Sequence, residues 1–367
     1  MIDFRYHLVS LISVFLALAV GIVLGAGPLR ESLGAQLAGQ VEQLRTEQDD
    51  LRAQADDLRA QNDQLAGFIT EIGPDLVAGT LEQNDVVVIS DHNSTRQPVQ
   101  NLSRLLEHAG ARSITHLTLQ PALWDPGSEQ RRSDALDAVA GIAPVLLDRD
   151  LEESEQLPGL IVALLTQDST SEVTSELRSQ VWQVLVDNQL VAIDGEAPPR
   201  ASAVVYAAAE PAQLTVGSDD DPTAAERAQQ LLTAQTRLLT AMAESDTPAV
   251  LSVATPDNDG TVGILRSVRG DSTFADLSTT DRLQASDGPV LAVLALIEQV
   301  RGGAGDYGTT ADADARVPDL PEAAVIRDEM EDPAGTSEET DGTGEPTDGI
   351  GAPSEGTDGP SDGGGQE

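Results

Sequence analysis

The sequence predicts an N-terminal transmembrane helix, a long parallel coiled coil, an α/β domain with a largely parallel sheet, and a disordered acidic tail. Three observations carry this reading. No charged residue occurs from Leu8 to Ala26. Beyond Gly27-Pro28, leucine returns at every seventh position, at Leu37, Leu44, Leu51, Leu58 and Leu65, with Ile72 next in phase. Between residues 80 and 307, β-branched runs alternate with helical periodicity. The segments are therefore 1–27 for the anchor, 31–72 for the stalk, 80–307 for the head and 308–367 for the tail.

The anchor comes first. At about 1.5 Å per residue, the uncharged run is just long enough to cross a bilayer core. A cleaved signal peptide is the competing reading, with Arg5 as its positive start and Gly25-Ala26-Gly27 as a small-residue cleavage site. The retained anchor is favoured, because a zipper rather than a folded domain follows at once. Arg5 and the amino terminus favour a cytoplasmic N-terminus, with the head outside the cytoplasm. Ala17, Gly21 and Gly25 recur every four residues, making a small-residue face on which two helices can approach closely in lipid.

In the stalk the leucines take the d positions, and Gly34, Val41, Gln48, Ala55, Asn62 and Ile69 take the a positions. An unbroken d column of Leu and Ile is a coiled-coil signature, although this a column is poor. An Asn at a, here Asn62, pairs with itself in parallel dimers and fixes the register. Glu47 at g would face Arg52 at e of the second strand. Residues 31–72 would make a stalk of roughly 60 Å. Gly73-Pro74 is expected to end the helix. The alternative is a helix folded back on its own domain.

The head opens with a strand at Asp85–Ser90, a helix over Pro98–Ala109 and a second strand at Ser113–Leu119, a βαβ unit that implies a parallel sheet. Helices are expected at about 171–188 and 223–243, and strands at Ala203–Ala207 and Ala249–Val253. Val290–Val300 is apolar nearly all round and reads as a buried helix. The tail consists of Gly, Ser, Thr, Pro, Asp and Glu. That composition buries too little apolar surface to offset the entropy of ordering.

Composition excludes several function classes. With no cysteine there are no disulfides, thiolate metal sites or cysteine nucleophiles. Asp and Glu number 62 against 21 positive residues, all of them arginine, and the net charge of −41 repels nucleic acid. Nine aromatics in the whole chain (two Trp, three Tyr, four Phe), and no series of alternating strands of about ten residues, disfavour a single-chain membrane β-barrel. The loop Ser90–Arg96 after the first strand lacks glycine, so neither a dinucleotide fingerprint nor a phosphate loop is present. Asp257-Asn258-Asp259-Gly260 lacks the full ligand spacing of a calcium loop and reads as a turn. No nucleophile elbow or HExxH motif occurs, so the chain reads as non-enzymatic, with no catalytic or cofactor-binding residues. The only candidate metal ligands are His92 and His116, with Asp91 as a possible neighbour, and ordinary packing histidines are the favoured reading.

The opening Phe4-Arg5-Tyr6-His7-Leu8-Val9-Ser10-Leu11, followed by Val14–Gly25, resembles the start of the mycobacterial copper transport protein B family of actinobacteria. The resemblance runs through the coil and the Val86-Val87-Val88 strand to Trp124-Asp125-Pro126. It resumes at Leu277-Ser278-Thr279-Thr280-Asp281, Leu291–Gln299 and Tyr307-Gly308. It covers roughly residues 1–310, and its opening is the specific part. It implies an oligomeric, pore-forming protein of the cell envelope membrane, acting in copper efflux and resistance, with copper as the transported ion rather than a cofactor. Thioether and imidazole ligands suit copper(I), yet Met1, Met242 and Met330 form no readable copper site. A single apolar helix whose only polar members are Ser10 and Ser13 would need several copies to line a path. A coiled-coil scaffold presenting an acidic head, with no transport activity, is the other reading.

Overall fold

The computed structural model describes residues 4–148, 150–151, 153–167, 173–211, 223–255 and 263–321. The expected turn at Asp257–Gly260 and the tail from residue 322 onward lie outside the described residues. One helix, α1 (Phe4–Val77), carries both the apolar run and the leucine repeat. The head follows as β1 (Asp85–Ser90), α2 (Arg96–His108), β2 (Ser113–Leu119), α3 (Glu129–Ile142), α4 (Glu153–Thr166), α5 (Ser175–Asp187), β3 (Val191–Asp194), β4 (Ala203–Ala207), α6 (Ala224–Ala243), β5 (Ala249–Ser252), α7 (Ile264–Arg269), β6 (Ser278–Thr280), α8 (Gly288–Val300) and β7 (Asp306–Tyr307).

The backbone stays helical through both Gly27-Pro28 and Gly73-Pro74, which corrects the expected break and the expected stop. A proline inside a helix removes one backbone donor and crowds the preceding turn, at about 3 kcal/mol. At Pro74 packing offsets that cost. Val77 is fully buried, and Ile69 packs against the same apolar cluster as α2 and α8. Gly73 sits so close to α8 that a Cβ there would come within 2.8 Å of Val290 Cγ2. The last turns of α1 are thus part of the head's core.

The strands form one open sheet in the order β3-β2-β1-β4-β5-β6-β7. All neighbours pair in parallel except β3, which runs antiparallel to β2. Helices cover both faces, which is why the central strands read as continuous apolar runs rather than alternating ones. Val86 and Val88 of β1 point to a layer made by α2, α8 and the end of α1. Val87 and Ile89 point to the opposite layer, made by α3 to α7.

The ordered head extends past Tyr307. Residues 308–315, counted with the tail in the sequence reading, return to the sheet edge. Gly308 N–H donates to the Ala315 carbonyl at 3.0 Å, and Asp314 N–H to the Asp306 carbonyl at 2.8 Å.

Candidate functional site

The most exposed apolar surface lies on α1. Phe4–Gly25 is a span of 22 residues with mean hydropathy 2.7, long and apolar enough to cross a membrane. Its serine at 13 donates back to the Val9 carbonyl at 2.8 Å, so that polar group is satisfied within the helix. Around Gly21 and Gly25 nothing lies within 4 Å of where a Cβ would stand, leaving the small-residue face open. Farther along, Leu37, Leu44, Leu51, Leu58 and Leu65 are each 61–65% exposed. Asn62 is exposed on the same helix. Among the described residues nothing covers that seam.

In the head, the strand order reverses between β1 and β4, since the chain moves outward from β1 first to β2 and later to β4. Ligands of open α/β sheets gather at the carboxyl ends of strands at such a point. Here it holds a buried polar hub. Asp91, one residue past β1, is 3% exposed. Its carboxylate accepts from the Tyr206 hydroxyl at 2.7 Å, the Ala209 backbone N–H at 2.9 Å and the Gln235 amide at 2.7 Å. Burial pushes the Asp91 carboxyl above its ordinary range, against the pull of these donors. Burial, with the neighbouring Asp91, likewise pushes Tyr206 well up. Glu210, also buried, lies against Gly263, where a Cβ would overlap its carboxylate. The hub ties β1, β4 and α6 together, with Asp91 turned onto protein donors.

The three residues read from sequence as weak metal candidates take separate places. His92 is exposed, and its Nδ1 accepts from Ser94 N–H at 3.1 Å at the start of a short 3₁₀ turn. His116 points to the α2 side of the sheet, where its Nε2 lies 2.6 Å from Ser103 Oγ. Asp91 is on the opposite side, with Tyr206. Side chains alternate across a strand, so residues on opposite faces cannot converge on one ion. Among the described residues no three His, Asp or Glu gather to hold a metal.

A second buried network, missed in the reading of individual residues, closes the far edge of the sheet. The Arg269 side chain is 2% exposed. It donates to Thr279 Oγ1 at 2.7 Å, Thr310 Oγ1 at 2.6 Å and the Tyr307 carbonyl at 2.9 Å. It also lies 3.2 Å from Asp312 and 3.8 Å from the fully buried Asp281. Asp281 in turn accepts from the N–H groups of Thr309 and Thr310, at 2.8 and 2.7 Å. Gly308 has φ +138°, and a Cβ there would overlap the Asp281 carboxylate. The signal was present in the sequence, in Ser278-Thr279-Thr280-Asp281 and Tyr307-Gly308. It appeared only as two fragments of the resemblance, and the contact between them was not legible.

These features define a class: among the described residues, one N-terminal helix whose apolar first part is long enough to cross a membrane, continuing into an α/β head with buried polar networks. Residues 1–318 match the family described as "Copper transport outer membrane protein, MctB", and the chain belongs to that family. Proteins named copper transporter MctB from Mycobacterium tuberculosis and Mycobacterium bovis are 26% identical over 323 residues, covering 84% of this chain and 96% of theirs. The one from Mycobacterium leprae is 28% identical over 320 residues.

Proposed function

We propose that this chain is a non-enzymatic, membrane-anchored envelope protein of copper homeostasis that works as a self-paired assembly. The observation that carries the assembly is the row of exposed leucines at heptad spacing on a helix continuous with the span. A stripe at that spacing is buried by a second helix in parallel register, and Asn62 sits where it would meet its own copy. The open face of Ala17, Gly21 and Gly25 lies across the helix from that seam, since each residue turns the helix by about 100°, and it offers a separate close contact within the membrane. The head then lies outside the cytoplasm. Family membership supports the copper role, since the mycobacterial relatives are named copper transporters.

Export through the assembly requires several copies, because one apolar helix with internally bonded Ser13 lines no aqueous path. Two measurements test this reading. Deleting the gene should raise cell copper under mild copper load, with reversal on complementation; unchanged copper content would remove the copper role. Purified protein reconstituted in lipid should conduct ions if the assembly is itself the path, and silence would leave an anchored scaffold. That second reading is favoured by one observation, Asn62 at an a position of a seam suited to two strands, which argues against a wide bundle.

A further inference from the structure

The head contains a cavity of about 220 Å³. It lies on the α3–α7 side of the sheet, beside the carboxyl ends of β2 and β4 and between α4 and α6. Leu119, Ile161 and Leu238 give it an apolar wall, and Trp124 offers a ring. By volume it exceeds an engineered apolar cavity of about 150 Å³ that accepts benzene.

Two features set it apart from a packing fault. The first is charge. Acids outnumber arginines 62 to 21 over the chain, yet the lining contains Arg132 and Arg237 and neither Asp nor Glu. Arg132 spends one nitrogen on the Ala122 and Asp125 carbonyls, at 2.9 and 2.7 Å. Arg237 pairs with no carboxylate among the described residues. The second is Gln235, which is 1% exposed and lines the cavity. Its amide nitrogen donates both to Asp91 and to the Ala209 carbonyl, at 2.7 and 2.8 Å. Both partners present oxygens here, so the orientation of the amide is fixed. Its Oε1 is left buried with no partner. A buried acceptor left unmet is costly, and a ligand donor would relieve that cost.

We propose that this cavity binds a small amphiphilic carboxylate. A single ring or short branched chain would lie against Trp124 and the leucines. Its carboxylate would meet Arg237 and Arg132, and a hydroxyl on it would donate to Gln235 Oε1.

The test uses the full chain in lipid discs, since detergent tails would compete for the cavity, with phenyllactate as the probe. Trp124 lines the cavity whereas Trp182, the other tryptophan, is in the core and outside the lining. Titration should change tryptophan emission saturably, with matching heat by calorimetry. Trp124→Phe should remove most of the emission change. Arg237→Gln, or the neutral phenyllactamide, should weaken binding by about tenfold or more, as expected for losing a charge-assisted hydrogen bond. Phenylpropionate, which lacks the hydroxyl, should also bind more weakly. Ala234→Phe, which fills the cavity, should abolish binding. No saturable signal at millimolar probe would overturn the assignment, as would equal affinity in wild type, Arg237→Gln and Ala234→Phe.

Discussion

α1 and α8 are both rich in apolar residues, and they spend that surface in opposite ways. In α8, Val290 through Ile297 are all buried, wedged between the sheet, α2 and the end of α1. In α1 the membrane span and the five heptad leucines remain exposed within the chain. The difference is in pattern. An all-round apolar helix of this length closes its surface inside a domain. In the proposed assembly, a stripe one residue wide every seventh position is closed by a second helix, and the longer uncharged run by lipid. The chain thus specifies its own head, and hands the specification of its stalk to its surroundings.

The sharpest break of this comparison places the same charge in each helix. Val293→Asp would put an unpaired carboxylate into a fully buried site and should cost about 4 kcal/mol or more, unfolding the head. Leu51→Asp should leave the thermal unfolding of the head unchanged and lower the sedimenting mass instead. Trp182 emission follows the first effect, and analytical ultracentrifugation of the full chain follows the second. A head that melts early in Leu51→Asp would mean that stalk and head are not separable in this way.

A smaller loss is expected at the sheet edge. Gly308→Ala must both hold φ near +138° and displace Asp281, and should cost about 2–4 kcal/mol in urea titration. Gly302→Ala is the control, because it has φ +89° and nothing within 4 Å, and should cost only about 1–2 kcal/mol. Equal costs would show that the Asp281 contact contributes nothing.

Asn62→Ile should raise the melting temperature of the stalk while broadening its oligomer distribution, because a buried Asn trades stability for a defined dimer. If the full chain sediments as a monomer both before and after the change, the zipper is wrong.

The smallest effect concerns pH. The hydrogen bond from Arg112, assisted by Ser113, holds the Asp85 carboxyl below its ordinary value of 3.8. The stability it contributes is therefore present above that value and lost as pH falls through the lowered folded pKa. Asp85→Asn should lower the unfolding midpoint slightly at neutral pH, with the gap to wild type closing in strong acid. Asp91 works in the opposite sense. With its pKa raised by burial, it favours the fold below the ordinary carboxylate range and loses that contribution as pH rises through its folded pKa.

Much of the head was legible because its strands are local signals. Asp85–Ser90, Ser113–Leu119 and Ala203–Ala207 fall where their β-branched runs placed them. What escaped was set by tertiary context. α4 carries Pro158 inside a helix, β6 and β7 are too short to show a period, and β3 pairs antiparallel at an edge. The proline at 74 misled for the same reason. A breaker residue reports a local cost, and burial of Val77 and Ile69 in the core shared with α2 and α8 outweighs it. Of the candidate metal residues, the sequence placed His92 after the first strand and His116 within the second, but not which face of the sheet each would take. Nothing in it announced that Gln235 would reach Asp91 across 144 positions.

The unbroken run of α1 into the core gives the molecule an angular phase. The helix runs from the stalk into the head's core without a break, and Gly73 lies against Val290. Each residue of an α-helix advances the chain by about 100° and 1.5 Å. One residue added between Asn62 and Gly73 would therefore swing each head about a quarter turn around the stalk, with almost no change in height. In the proposed pair, the compass bearing of one head relative to the other is thus written in the spacing between the heptad register and that single glycine.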